Sequence, residues 1–407
     1  MTRPASGRTA PARPEAIRGH NLGLVLSEVH RAGARSRAEL TRQTGLNRST
    51  IGALVAELGE LGLLAERRPD THRRAGRPSH VVEPVRPGPF VLAVAVEIDT
   101  LVVAAVGLGG TVLARVDETV PETRRTPAHI ATRCARLAHA VVAQLGPAAQ
   151  PIGLGISVPG TVRRYDGSIE HAPNLGWRNV PMPELISERL EFQVPVRAGN
   201  DADLGALSEH LRGVARDCAN LVFINGRIGV GGGVIVDGHQ LHGAGGFAGE
   251  FGHMAIDPAG LPCHCGNTGC WETRIGEQRL LSLAGHLDGP GPAAVDAVMG
   301  AAAAGQPAAT AALMEVGEWI GRGLGVLTNV FNPEMIVVGG TLATLLATHH
   351  DCIRAALDKA ALPGPAEMVS LVTPAFGAES SLLGAAELAF QHLLDNPLAV
   401  MAGQVAG

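Results

Sequence analysis

The sequence predicts an α/β chain in which a small winged helix-turn-helix precedes a larger body made of two related lobes. Three observations predict it. Near the start, apolar residues recur at helical spacing in three segments divided by glycine and capping residues. From about residue 88, a pattern of short apolar strands, a helix and a buried strand occurs twice. Charge is also split: residues 1–90 hold fifteen Arg against eight Asp or Glu, so this −5 chain carries +7 in its head and −12 beyond it. A basic head on an acidic body suits a chain of which only the head meets nucleic acid.

A length of 407 residues allows two or three domains and a large core. Aromatics make up only 3% of the chain, so Leu, Val, Ile and Ala must fill the interior. Residues 1–16, rich in Pro, Arg and Ala, read as a disordered tail, residues 17–87 as the head and residues 88–407 as the body. No uninterrupted apolar run reaches transmembrane length, and the start lacks a signal-peptide core. Cys134, Cys218 and Cys352 are isolated and nothing asks for an oxidising compartment, so a cytoplasmic protein without membrane contact is expected.

In the head, Leu22, Val25, Leu26 and Val29 mark the inner face of a first helix that Gly33 ends. Ser36-Arg-Ala-Glu39 has the form of a capping box for a short second helix, which stops at Gly45. Asn47 can cap a third helix whose Ile51, Leu54, Val55 and Leu58 face inward. Such a third helix enters the major groove with its N-terminal residues leading, which points Arg48, Ser49 and Thr50 at DNA. Leu63–Glu66 and His80–Glu83 read as two strands flanking a loop with Arg67, Arg68, Arg73, Arg74 and Arg77. That is a wing suited to phosphate contact or minor-groove insertion. The competing reading is a purely structural helix pair beside a solvated basic loop. Pro84, Pro87 and Pro89 make a short stiff linker, with a boundary near residue 88.

In the body, Val91–Val96, Leu101–Val106 and Val112–Val116 read as strands, followed by a helix over Pro127–Leu145 and a strand over Ile152–Val158. Leu221–Ile224, Val234–Val236 and Glu334–Val338 repeat the idea. Between the last two lie His253, Cys263, Cys265 and Cys270, one imidazole and three thiols within eighteen residues. A Cys₃His set is a common structural Zn²⁺ site, and Gly266 and Gly269 allow the tight folding it needs. A structural zinc in a loop over residues 253–270 is expected.

This region, with Gly229-Val-Gly-Gly-Gly233, Gly249-Glu-Phe-Gly-His253 and Cys263-His-Cys-Gly-Asn-Thr-Gly-Cys270, resembles the ROK family of bacterial repressors, uncharacterised frames and sugar kinases. Over residues 88–390 the resemblance implies a duplicated actin-like (ribonuclease-H-like) fold. It implies that Glu250, His253 and Glu272, with Asn200 and Asp201, hydrogen-bond sugar hydroxyls, and that the zinc loop props up their pocket. Charged and amide groups are also what grips a polyol best on chemical grounds. Asn174 and Gly160 would border the sugar, while Trp177 and Trp271 would stack on it or pack at the cleft edge. Ala75-Gly-Arg-Pro78 resembles the wing tip of the family's repressors, implying a minor-groove role for Arg77.

The family's kinases carry a phosphate-binding turn of the form Asp-x-Gly-x-Thr after the first strand. The matching place here is Ala95-Val-Glu-Ile-Asp99, with Ala95 for the aspartate, no glycine, and Glu97 where phosphate would sit. A carboxylate aimed at phosphate costs on the order of 1 kcal/mol or more. Ile228 stands where the kinases usually carry threonine in their second phosphate turn. Asp201, the family's catalytic base, is then vestigial and still able to bind sugar. The expected function is a sugar-responsive transcriptional regulator, repressor or activator, working with operator DNA, a sugar or sugar phosphate effector and further copies of itself as dimer or tetramer. The alternatives are an ATP-dependent, glucokinase-like ROK sugar kinase carrying a DNA-binding head, and a zinc sensor in which the metal controls DNA binding.

Overall fold

The computed structural model describes residues 14–67, 80–286 and 291–405. They fall into two compact units. One comprises the N-terminal residues to Phe90, Gly107–Thr111 and the residues from Phe390 on; the other comprises Val91–Val106 and Val112–Ala389.

The head contains α1 (Pro14–Ala32), β1 (Arg35–Ser36), α2 (Arg37–Thr44), α3 (Arg48–Glu60), β2 (Leu64–Arg67) and β3 (Val81–Pro84). Its termini are set locally. Gly33 and Gly45 take φ of 72° and 70°, which glycine adopts without strain, and end α1 and α2. The capping box forms: Glu39 N–H donates to Ser36 Oγ at 3.2 Å while Ser36 N–H donates to Glu39 Oε2 at 2.7 Å. Asn47 Oδ1 caps α3 by accepting from Thr50 N–H at 2.9 Å. Leu22, Val25, Leu26, Val29, Leu40, Ile51, Leu54, Val55 and Leu58 are buried together, as the spacing predicts. The three strands pair in the order β1-β3-β2. The chain's C-terminal residues complete this core. Phe390 lies 4.7 Å from His30, ring centre to ring centre, and a Cβ on Gly23 would come within 2.2 Å of the Leu394 carbonyl oxygen.

The body's first lobe runs β4 (Phe90–Val96), β5 (Thr100–Gly107), β6 (Thr111–Thr119), α4 (Pro127–Leu145), β7 (Leu154–Val158), a small sheet of β8 (Thr161–Val162), β9 (Ile169–Ala172) and β10 (Trp177–Val180), then α5 (Met182–Ser187), β11 (Val196–Asn200) and α6 (Asp201–Leu211). The second runs β12 (Leu221–Gly226), β13 (Val230–Val236), β14 (His239–Gln240), α7 (Glu272–Ile275), α8 (Glu277–Leu283), α9 (Pro292–Ala303), α10 (Pro307–Phe331), β15 (Met335–Gly340), α11 (Thr341–Ala360), α12 (Pro363–Met368), β16 (Ser370–Val372) and α13 (Ser380–Asp395); from Phe390 on, the end of α13 and α14 (Pro397–Val405) belong to the head's unit. The sheet orders are β6-β5-β4-β7-β11 and β14-β13-β12-β15-β16. Three meandering strands and two parallel ones occur in the same order in each lobe, so the duplication is topological.

Packing follows sheet position. Central β4 is buried along its whole length, whereas edge strand β6 alternates with solvent. The α4 span coincides with the helix read from the sequence, and β5, β6, β12, β13 and β15 extend the apolar cores of their strands by a few residues of turn sequence. The small β8-β9-β10 sheet went unseen, because strands of two to four residues show no usable alternation. Helices α6 and α13, which follow the last strand of each lobe, touch through backbone: a Cβ on Gly384 would lie 1.9 Å from the Leu204 carbonyl oxygen. Ser208 Oγ donates to the Ser380 carbonyl at 2.7 Å, and the buried Arg212–Glu387 pair adds a charge-assisted bond.

Candidate functional site

The residues that the sequence singles out gather where strands β4, β11 and β12 end, the usual place for a ligand in an open α/β sheet. Strand β13 supplies a floor because it has almost no side chains at its start. On one side, Cβ atoms on Gly231 and Gly233 would meet Ala202 at 3.0 Å and Ala206 at 2.7 Å, so α6 lies against bare backbone. On the other, a Cβ on Gly232 would strike Phe251 at 2.2 Å. Gly249, at φ 95°, passes so close to Gly232 that a Cβ there would fall 2.3 Å from its carbonyl oxygen. This close approach brings Glu250 and His253 beside the strand. A Cβ on Gly229 would sit 3.6 Å from Glu272 Oε2 and 3.8 Å from Asn174 Nδ2, and one on Gly231 would sit 3.9 Å from Asp201 Oδ1. Asn174, Asp201 and Glu272 thus surround the first residues of the glycine run.

Asn200 is engaged by the scaffold. Its Oδ1 accepts from Ala202 N–H at 2.8 Å and Asp203 N–H at 3.0 Å, capping α6, and its Nδ2 donates to the Gly160 carbonyl at 2.9 Å. Only the second amide hydrogen is left to meet a ligand. Asp201 accepts from Ala202 N–H at 2.9 Å. Burial pushes its carboxyl up to about 6, against the opposing pull of Arg227. Asp203 is pushed further, to about 8, by burial and by the charges of Glu250 and Asp201, and its Oδ1 has no hydrogen-bond partner among the described residues. Glu250 is raised by burial, with His253 acting the other way. These carboxyls crowd one another in a poorly solvated place.

His253, Cys263, Cys265 and Cys270 converge, with all four ligand atoms within 4.8 Å of one another. Cys265 Sγ and Cys270 Sγ are 3.6 Å apart and Cys263 Sγ is 3.7 Å from His253 Nδ1. A tetrahedron with metal bonds of about 2.0–2.3 Å has edges close to these lengths. The thiols are free, not bridged. The loop is closed by backbone: Cys263 N–H donates to Asn267 O at 2.8 Å, and Gly266 and Gly269 take φ of 92° and 77°. The four residues could hold a metal ion. Glu272 joins this cluster to the pocket, since its Oε1 accepts from Cys263 Sγ at 2.8 Å while its Oε2 faces Gly229.

Both tryptophans pack. Trp271 is fully buried, lies where a Cβ on Gly323 would be 2.0 Å away, and donates from Nε1 to the Trp319 carbonyl at 2.8 Å. Trp177 is buried and donates to the Arg125 carbonyl at 2.7 Å. Neither presents a face to a sugar. The residue missed from sequence is Arg227. It stands on the β12–β13 turn and pairs with Glu97 of the β4–β5 turn at 2.9 Å. Its only signal was a cation two residues before the glycine run.

In the head, Arg48 and Ser49 are exposed at the start of α3 and Thr50 is half-buried. Ser49 Oγ is engaged with the cap, donating to Asn47 Oδ1 at 2.7 Å. Arg74 and Arg77, with Arg68, Arg73 and the Ala75–Pro78 tip, lie outside the described residues.

A family model described as "ROK family" matches residues 91–392. The xylose repressor of Bacillus spizizenii is 28% identical over 384 residues, spanning 92% of this chain and 96% of its own length. Among solved structures, a ROK-family transcriptional regulator described as a homologue of the Escherichia coli MLC protein superposes with a TM-score of 0.77 at 26% identity, covering 96% of this chain and 99% of its own. A Streptomyces griseus ROK glucokinase, solved with glucose and AMPPNP, gives a TM-score of 0.64 at 26% identity over 74% of this chain and 99% of its own. No helix among the described residues is long and apolar enough to cross a membrane.

Proposed function

The chain belongs to the ROK family and to its transcriptional-regulator branch, and we propose that it is a sugar-responsive DNA-binding repressor that kept a sugar pocket and lost phosphoryl transfer. The observation that carries this reading is coverage. The regulator matches head and body together, over 96% of this chain, whereas the glucokinase accounts for 74%. The head supplies α3, with Arg48, Ser49 and Thr50 leading, and the wing arginines Arg74 and Arg77, for operator contact. Two copies on two half-sites provide the specificity that one helix-turn-helix lacks.

In the pocket, Asp201, Glu250 and Glu272 accept bonds from sugar hydroxyls, while His253, Asn174 and the remaining Asn200 hydrogen add polar contacts. Zn²⁺ held by His253, Cys263, Cys265 and Cys270 would fix the loop that carries His253 to the sugar. Bonded to metal through Nδ1, the imidazole keeps Nε2 for the ligand. Against the kinase stands the Glu97–Arg227 pair: the β4–β5 turn has side chains where a phosphate needs open backbone N–H groups. Without a bound phosphoryl donor, Asp201 has no partner for transfer. The sugar changes DNA affinity only through its differential affinity for two arrangements of the protein.

The test is to select sites from a random-sequence DNA pool with zinc-replete protein, then titrate the selected duplex with and without a panel of aldoses. We expect one aldose to shift DNA affinity by about tenfold or more. A selected site that no sugar affects, with glucose-dependent ATP consumption by the same protein, would replace the regulator with the kinase.

A further inference from the structure

We propose that the pocket takes an uncharged sugar and rejects its phosphorylated form, because its walls are carboxylates and the cation beside Asp201 is already neutralised by a carboxylate of the other lobe. The inference rests on the sugar-regulator reading and decides between the two effector classes that reading leaves open.

The groups form one continuous series. Glu97 pairs with Arg227 at 2.9 Å. Arg227 and Glu97 both act on Asp201, Asp201 and Glu250 act on Asp203, and Glu272 acts on Glu250. Geometry gathers these carboxyls along β13: Glu272 Oε2 and Asp201 Oδ1 lie 3.6 Å and 3.9 Å from where Cβ atoms of Gly229 and Gly231 would stand, Asp203 backs Gly233, and Glu250 follows the Gly249 that abuts Gly232. The cations recorded against them are Arg227, held by Glu97, and His253, 3.4 Å from Glu272 Oε1. His253 is one of the four residues that would hold the metal, and its imidazole would then be uncharged. Asp203 is 8% exposed, and its Oδ1 is without a hydrogen-bond partner among the described residues.

A neutral polyol suits such walls, since every hydroxyl can donate to a carboxylate oxygen. A phosphate monoester brings about −1.5 to −2 charges and acceptor oxygens only, so it meets repulsion and finds few donors. Arg227 is the group that could receive it, and Glu97 occupies Arg227. Removing Glu97's charge should therefore narrow the discrimination, whereas removing that of Arg227 should not.

The experiment is calorimetry of zinc-replete full-length protein with common aldopentoses, aldohexoses and N-acetylated hexosamines, and with the terminal phosphate of each. We expect one neutral sugar to bind and its phosphate to bind on the order of 100-fold more weakly. In Glu97→Gln we expect that gap to shrink by about tenfold, and in Arg227→Gln to persist. A phosphate binding as tightly as its parent sugar overturns the inference and leaves the regulator reading standing. Silence from every neutral and phosphorylated sugar overturns that reading and the inference with it. Equal discrimination in wild type and Glu97→Gln would remove the Glu97–Arg227 pair from the explanation and overturn the proposal as stated.

Discussion

The β4–β5 turn of the first lobe and the β12–β13 turn of the second hold matching places in the duplicated topology, yet their chemistry has diverged. The first reads Val96-Glu97-Ile98-Asp99-Thr100 and the second Gly226-Arg227-Ile228-Gly229-Val230. Glu97 and Arg227 occupy equivalent positions, carry opposite charges and pair with each other. The second turn leads into backbone that α6, Phe251 and Gly249 all approach closely, so Gly231, Gly232 and Gly233 answer to packing whether or not a nucleotide ever binds, while a Cβ on Gly229 would meet nothing nearer than 3.6 Å. The first turn holds no glycine, and its Glu97, Ile98 and Thr100 are half-buried while Asp99 is exposed. The difference teaches that glycines alone are weak evidence for a phosphate site. Packing alone can account for them, so the reading of the phosphate site rests on the partner turn.

The largest test of this contrast is steric. Gly249→Ala places a Cβ 2.3 Å from the Gly232 carbonyl at a φ of 95°, and should lose on the order of 3 kcal/mol or more in chemical denaturation, or fail to fold. Ile98→Gly, on the open turn, should cost within about 1 kcal/mol. Similar losses for the two would mean that the backbone beside β13 is no more constrained than the first turn.

Next comes the Cys₃His loop joined to the second turn through Glu272. Cys263→Ser should abolish stoichiometric zinc, read by mass spectrometry of the purified protein, and with it the heat of sugar binding, whereas Cys134→Ser should keep both. Undiminished sugar binding in metal-free Cys263→Ser protein would detach the loop from the pocket.

A smaller effect is expected of the ion pair. A double-mutant cycle of Glu97→Gln and Arg227→Gln should give a coupling of about 0.2–1 kcal/mol, since both side chains keep solvent contact, and high salt should reduce it. Zero coupling at low salt would mean that the two turns do not sense each other.

The last concerns pH. Asp201, faced by Arg227, Glu97 and Asp203, is pushed up to about 6, so its ionised, hydroxyl-accepting form fills in as pH rises through 6. Sugar affinity should climb by up to about tenfold between pH 5 and 7 and be flatter in Asp201→Asn. For folding the sign is opposite. An acid whose value rises from 3.8 to about 6 gives stability that is greatest below 3.8 and declines as pH rises through that window.

What the sequence made legible is what short-range rules control. The Ser36–Glu39 capping box, the Gly33 and Gly45 stops and the Asn47 cap each depend on residues within four positions, and each forms as read. The Cys₃His cluster was equally legible, because eight residues hold all three thiols. The pairing of Glu97 with Arg227 was not, since the two are brought together only by the duplicated fold. Trp271 misleads in the opposite way: an aromatic beside Glu272 suggests a sugar platform, but Gly323 leaves a slot that buries it. The packing of Phe390 and Leu394 with α1 likewise left no trace in local pattern, because apolar periodicity names a helix's inner face without naming its partner.

The central claim is that this cleft binds sugar without binding a phosphoryl donor, and calorimetry with a non-hydrolysable ATP analogue tests it most directly. Zinc-replete protein saturated with the sugar that binds it should give no heat with the magnesium–nucleotide complex. Nucleotide binding that strengthens when sugar is present would show a working donor site at the Glu97 turn, and the protein would then be a kinase with a DNA-binding head.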